Sequence, residues 1–159
     1  MTTKNTDLVA NFEATPPVLN NAAELAGVVR TAHGSVELAA GDSTDNDIVM
    51  LAPIPTNASI PQLFVGSDTF GGSCTFNVGL YTSAGVVKDE DCFATSVADA
   101  GALADVRHEV ANLTTTGQKV WELAGESSDP GGYYYVAITF DATGGTAGTL
   151  SWNISYVVN

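Results

Sequence analysis

A chain of 159 residues is long enough to bury one core and too short for two, and 45% hydrophobic against 14% charged residues excludes a disordered polyelectrolyte. Eighteen acidic against five basic residues leave a formal charge of −13, which speaks against direct nucleic-acid binding because a phosphate backbone repels such a surface. No apolar run approaches the length of a membrane-crossing helix, and the opening Met1-Thr2-Thr3-Lys4-Asn5-Thr6-Asp7 lacks an apolar secretory leader, so a soluble, intracellular product is expected.

Residues 1–27 show no strand alternation, and Thr15-Pro16-Pro17-Val18 favours an extended, polyproline-like stretch over a helix. This segment reads as an arm, and a polar arm becomes ordered only when a neighbour holds it. From Val28 the chain turns to short strands. Val28–His33 and Ser35–Ala39 form the first extended region, and Gly41-Asp42-Ser43-Thr44-Asp45-Asn46 is its exit turn. Ile48–Ala52 is apolar on both parities, as in a strand covered on both sides, and Pro53 and Pro55 are expected to end it.

Ile60–Ser67 follows, then a Gly71-Gly72 turn. Ser73–Thr82 alternates, with Cys74, Phe76, Val78 and Leu80 inward and Thr75, Asn77 and Tyr81 outward. Ser83-Ala84-Gly85 turns the chain into Val86-Val87. Over 97–113 the spacing of Leu103, Val106, Val110 and Leu113 predicts a short helix, weakened by Gly101. Lys119–Ala124 reads as a brief strand carrying Trp121, and Gly125–Gly132 as a loop.

The chain then closes on two alternating segments. Tyr134, Val136, Ile138 and Phe140 share one face of the first; Leu150, Trp152, Ile154, Tyr156 and Val158 share one face of the second. The glycine-bearing loop from Asp141 to Gly148 makes an antiparallel hairpin the natural expectation. About eight strands at short spacing predict an all-β fold, an antiparallel sandwich or jelly roll over 28–159, with the 1–27 arm and one short helix.

No catalytic constellation emerges. Cys74 and Cys92 lack zinc-ligand spacing; Cys74 serves as a small apolar side chain, and a bridge to Cys92 stays open. Asp42, Asp45 and Asp47 resemble a calcium loop by charge but lack its ligand order, so they read as a solvated turn. Asp89-Glu90-Asp91 alternate between strand faces and form no acid pair. His33 and His108 have no nucleophile placed to make a triad, and no phosphate-cradling glycine loop is present. The Asn57, Asn112 and Asn153 sequons are chance matches in a chain without secretion. A non-enzymatic protein without metal or cofactor is expected. Tyr133 and Tyr135 lie on the less apolar face of their strand, with Tyr81 a third candidate. Such rings stack on sugars or anchor a protein interface, and cover by a second layer or a sister subunit is the simpler reading.

Several segments together carry a resemblance. These are Arg30-Thr31-Ala32-His33-Gly34, Asp47-Ile48-Val49-Met50-Leu51 followed by Ile54-Pro55 and Ala58-Ser59-Ile60, and Phe76-Asn77-Val78-Gly79-Leu80-Tyr81. Asp89-Glu90-Asp91-Cys92-Phe93, Val120-Trp121-Glu122-Leu123-Ala124-Gly125 and the closing strand from Gly148 to Val158 extend the set. As an ordered series over most of 28–159 they resemble small jelly-roll capsid decoration, or cement, proteins of tailed bacteriophages. The resemblance implies a virion structural protein on the capsid exterior, made in the host cytoplasm, with the major capsid protein as partner. It further implies a homo-oligomer, a trimer being favoured, with no nucleic-acid or membrane partner. Thr15, Pro16, Pro17, Val18 and Leu19 of the arm, with Tyr133 and Tyr135, become the candidate capsid or subunit contacts. A glycan- or receptor-binding head-fibre module and a tail-associated structural protein are the alternatives.

Overall fold

The computed structural model describes residues 7–19, 27–99, 103–108 and 115–158. Its eight strands are β1 (Val29–Leu38), β2 (Ile48–Pro55), β3 (Ala58–Ser67), β4 (Thr75–Tyr81), β5 (Val87–Ala98), β6 (Leu103–Asp105), β7 (Tyr133–Ala142) and β8 (Gly148–Val158). They form two four-stranded antiparallel sheets, ordered β1-β8-β3-β6 and β2-β7-β4-β5. Of the strands consecutive in sequence, only β4 and β5 are neighbours in one sheet. The pairs β1–β8, β2–β7 and β3–β6 nest around that hairpin, so the chain is one long antiparallel ribbon rolled into a sandwich. This is the jelly-roll order, and the expected all-β sandwich is what forms.

The terminal hairpin does not form. β7 pairs with β2 and β4, whereas β8 pairs with β1 and β3, so the two last strands lie in opposite sheets. Their apolar faces point at each other across the core: Val136, Ile138 and Phe140 from β7, Leu150 and Ile154 from β8, none more than 1% exposed. The loop between them is tied to both sheets' ends, with Gly144 N–H donating to Ser43 O (2.8 Å) and Gly145 and Thr146 N–H donating to Phe70 O (2.8 and 2.7 Å). A Cβ at Gly144 would stand 2.9 Å from Phe70 O, so only glycine lets the crossing pass this close. Phe70 in turn meets Phe140 edge to face at 5.6 Å.

Trp152 is half-buried and covers Gly34 of β1; a Cβ at Gly34 would lie 2.7 Å from its ring. A glycine in mid-strand thus makes room for an indole, and β1 runs unbroken where the sequence indicated two pieces. β5 carries a large bulge. Between the pairs Leu80↔Asp89 and Val78↔Ala94, β4 advances two residues and β5 five, and the folded-over backbone places Asp89 O 2.1 Å from where a Cβ on Gly79 would be.

Other expectations give way to tertiary context. Asp7–Glu13 is a helix, α1, with an acid in its first turn, and it stops before Pro16. Among the described residues the predicted 97–113 helix does not form: β5 continues to Ala98, Leu103–Asp105 adds to the edge of β3, and Val106–His108 makes a single 3-10 turn. Leu103 is 70% exposed and Val106 is fully buried, so their helical spacing was coincidental, and Val110 and Leu113 lie outside the described residues. Val120–Leu123 is one helical turn, α2, not a strand; Lys119 N–H donates to the Glu122 carboxylate at 2.7 Å and starts it. β2 runs on through Pro53 and Pro55, which an outermost strand accommodates, and Ile48 at its start is 42% exposed where cover on both sides was expected.

Candidate functional site

One end of the sandwich gathers the start of β1, the end of β2, the Thr56-Asn57 link into β3, and the start of β7. Tyr133 pairs in register with Pro55, and Tyr135 with Pro53 and Tyr81. Tyr133 is 61% exposed and Tyr135 half-buried. Tyr81 is not a surface ring. It is 2% exposed and lies along the sheet toward Thr139, with a very short contact between the two hydroxyls, and burial raises its pKa. The expected three-tyrosine platform is therefore reduced to one open ring and one partly covered ring.

A polar clamp that the sequence did not single out holds this end. Lys88 Nζ pairs with Glu126 Oε1 at 2.8 Å, Tyr134 Oη donates to the same oxygen at 2.8 Å, and Lys88 lies 5.4 Å from the Tyr134 ring centroid. The hydrogen bond with Glu126 raises the Lys88 pKa, and the same bond, with that from Tyr134, lowers the carboxyl. Thr56 Oγ1 donates to Asp129 Oδ1 at 2.6 Å and Gly131 N–H to the same atom at 2.9 Å, which holds the Asp129 carboxyl below its ordinary value. The loop after α2 is thus pinned to β2, β5 and β7. The partners are 38 and 73 residues apart in sequence, too far for spacing to reveal them.

The arm candidates Thr15–Leu19 are exposed, Val18 at 53% and Leu19 at 96%. Ala14 and Val18 N–H both donate to Asn11 O, at 3.4 and 3.0 Å, folding this segment back on the end of α1. Among the described residues no hydrogen bond joins Thr15–Leu19 to Tyr133 or Tyr135. Two apolar side chains are thereby presented beside two prolines.

The remaining candidates are structural. Asp42 and Asp47 each use a carboxylate oxygen to accept a turn N–H at 2.9 Å, from Ala39 and Thr44, as a solvated turn requires. Both cysteines are free thiols; burial pushes Cys74 up to about 11 and raises Cys92 as well. Neither is poised as a nucleophile.

No protein-family model matches the chain, and no curated protein does. Among solved structures, a chain in the capsid of Ralstonia phage GP4 is similar over 84% of this chain and 86% of that one, with a TM-score of 0.59 and 17% identity. Looser likenesses are found in the Cyanophage Pam1 capsid asymmetric unit (TM-score 0.48, 15% identity, 84% and 86% covered) and in the acid-stable capsid of Helicobacter pylori bacteriophage KHP30 (0.44, 10%, 82% and 88%). The Ralstonia phage match shows a shared fold along nearly the whole of both chains.

Proposed function

We propose that this chain is a bacteriophage virion structural protein, a non-enzymatic decoration or cement protein that binds the outside of the major capsid shell and stabilises the head. The fold shared with a chain of the Ralstonia phage GP4 capsid carries the reading. Two features support it. The exposed Val18 and Leu19 give the arm apolar surface to drape over neighbouring subunits. A charge of −13 keeps the free protein soluble until it meets a lattice, where many weak attachments act together. A homo-oligomer, with a trimer favoured, would supply three arms to one lattice site.

The test is to add purified protein to undecorated heads and to image the particles. Saturable binding, with density on the outer shell at symmetry-defined positions and heads that withstand higher temperature, is the expected result. Density confined to the tail, or no binding at concentrations that saturate other decoration proteins, would overturn the proposal.

A further inference from the structure

The registers across the β1-β8-β3-β6 sheet set its outward-facing residues in rows. Thr31, Ser155 and Gln62 form one row; His33, Asn153, Phe64 and Asp105 form the next; Ser35, Ser151, Gly66 and Leu103 form another. Gly66 leaves a gap in the last row and Leu103 leans over it, its Cδ1 3.5 Å from where a Cβ on Gly66 would stand. A groove of about 310 Å3 results, lined by Thr31, Gln62, Phe64, Leu103, Asn153 and Ser155.

In a chain of net charge −13, no ionisable group among the described residues lines this groove. Asp105, opposite Phe64 in register, turns its Oδ1 to the Arg107 N–H at 3.1 Å and stays out of the lining. The carboxamides of Gln62 and Asn153 and the hydroxyls of Thr31 and Ser155 take part in no hydrogen bond among the described residues. Phe64 is half-buried and Leu103 is 70% exposed, so an apolar strip runs beside uncommitted amides and hydroxyls.

We propose that this groove binds a neutral saccharide. A sugar ring presents hydroxyls that both donate and accept, and a side-chain carboxamide answers with both functions from one group. Its C–H face packs on an aromatic ring or an aliphatic side chain, the parts Phe64 and Leu103 play here. A phosphate, a carboxylate or an ammonium ligand would find no counter-charge among these lining residues, and the net charge of −13 disfavours anionic sugars. The volume is that of a small-molecule site at the lower end of the usual range, room for one or two sugar rings. The groove is on the sheet opposite the tyrosines, so it is a different surface from the aromatic platform expected from the sequence.

The proposal is independent of capsid attachment, and its test uses the isolated full chain. Maltose, lactose, cellobiose and diacetylchitobiose are titrated into the protein, with sialyllactose as the anionic control, and binding is followed by saturation-transfer NMR and calorimetry. Saturable binding of at least one neutral probe is expected, weakened about tenfold by Asn153→Ala and by Gln62→Ala and unchanged by Tyr133→Ala. Thermal unfolding of each variant establishes that it is folded. Absence of saturable binding by every neutral probe would overturn the proposal. So would tighter binding of sialyllactose, or binding that survives both groove substitutions.

Discussion

Two residues show how tightly single positions are set. Gly79 lies beneath the β5 bulge, where a Cβ would stand 2.1 Å from Asp89 O and 2.3 Å from Glu90 backbone atoms. Backbone cannot move aside as a flexible side chain can, so Gly79→Ala should cost more than about 3 kcal/mol, read as a lowered denaturant midpoint. An unchanged midpoint would show that the bulge does not fold over β4. Cys74 is 1% exposed, and its thiol, ordinarily at 9.0, is pushed up to about 11 by burial and then by the Asp99 carboxylate. Above the unfolded value the unfolded chain has lost its thiol proton while the folded protein keeps it, so stability falls as pH rises through this window. The loss is on the order of 2 kcal/mol and should be missing from the pH slope of Cys74→Ala, whatever that variant loses in packing. Equal alkaline slopes for the two proteins would refute the assignment. The inward position of Cys74 was legible from its alternation with Phe76, Val78 and Leu80. The demand for glycine at 79 was not, because it comes from a bulge ten residues further on.

At the level of elements, the sequence located strands far better than it located their partners. Period-two alternation states which side of a strand is buried, and it says the same whether the next strand lies beside it in the sheet or opposite it across the core. β7 and β8 are the case in point: the buried faces were read correctly and the pairing was not. Short elements failed for another reason. Val120–Leu123 is a single turn, and Leu103–Asp105 a three-residue strand, both too brief to display a period, so long-range contacts determined them. Arg107 is the side chain that fixes the second region. Fully buried, it donates from Nε to Ile60 O and from Nη2 to Thr115 O, both at 2.8 Å, and lies 5.4 Å from the Phe93 ring centroid. It thus closes the seam between β3 and β5. Its Nη1 has no hydrogen-bond partner among the described residues and burial lowers its pKa, so the charge itself is a cost that the packing outweighs. Arg107→Ala should lose about 3–4 kcal/mol through cavity and orphaned carbonyls, and Arg107→Met, which refills the volume, less than half of that. If methionine proves as damaging as alanine, the hydrogen bonds, and not the packing, hold the seam.

On the scale of the whole molecule, a rolled ribbon has a consequence for where function can reside. Every sheet-crossing connection ends in a loop at one or other end of the sandwich, and the loops at the β7 start are already fastened by the Lys88–Glu126–Tyr134 and Thr56–Asp129 contacts. A surface so pinned can present Tyr133, but it cannot reach far. Thr15–Leu19, by contrast, expose apolar side chains and lie outside the strand ladder. Ordering such a segment on a partner is favourable only if its contacts offset the chain entropy lost, about 1–2 kcal/mol for each residue fixed. Deleting residues 1–26 should therefore leave the jelly roll folded, with an unchanged strand signature in circular dichroism and little change in unfolding midpoint. Binding to undecorated heads should fall steeply, since every copy on the lattice loses the same contacts. Full-length and truncated protein, added to heads at matched concentrations over a dilution series, give the measurement as bound copies per particle. Equal occupancy across the series would mean that the sandwich surface alone makes the attachment and that the arm is a passive tail. Reduced occupancy with an intact fold would place the clamp in the arm.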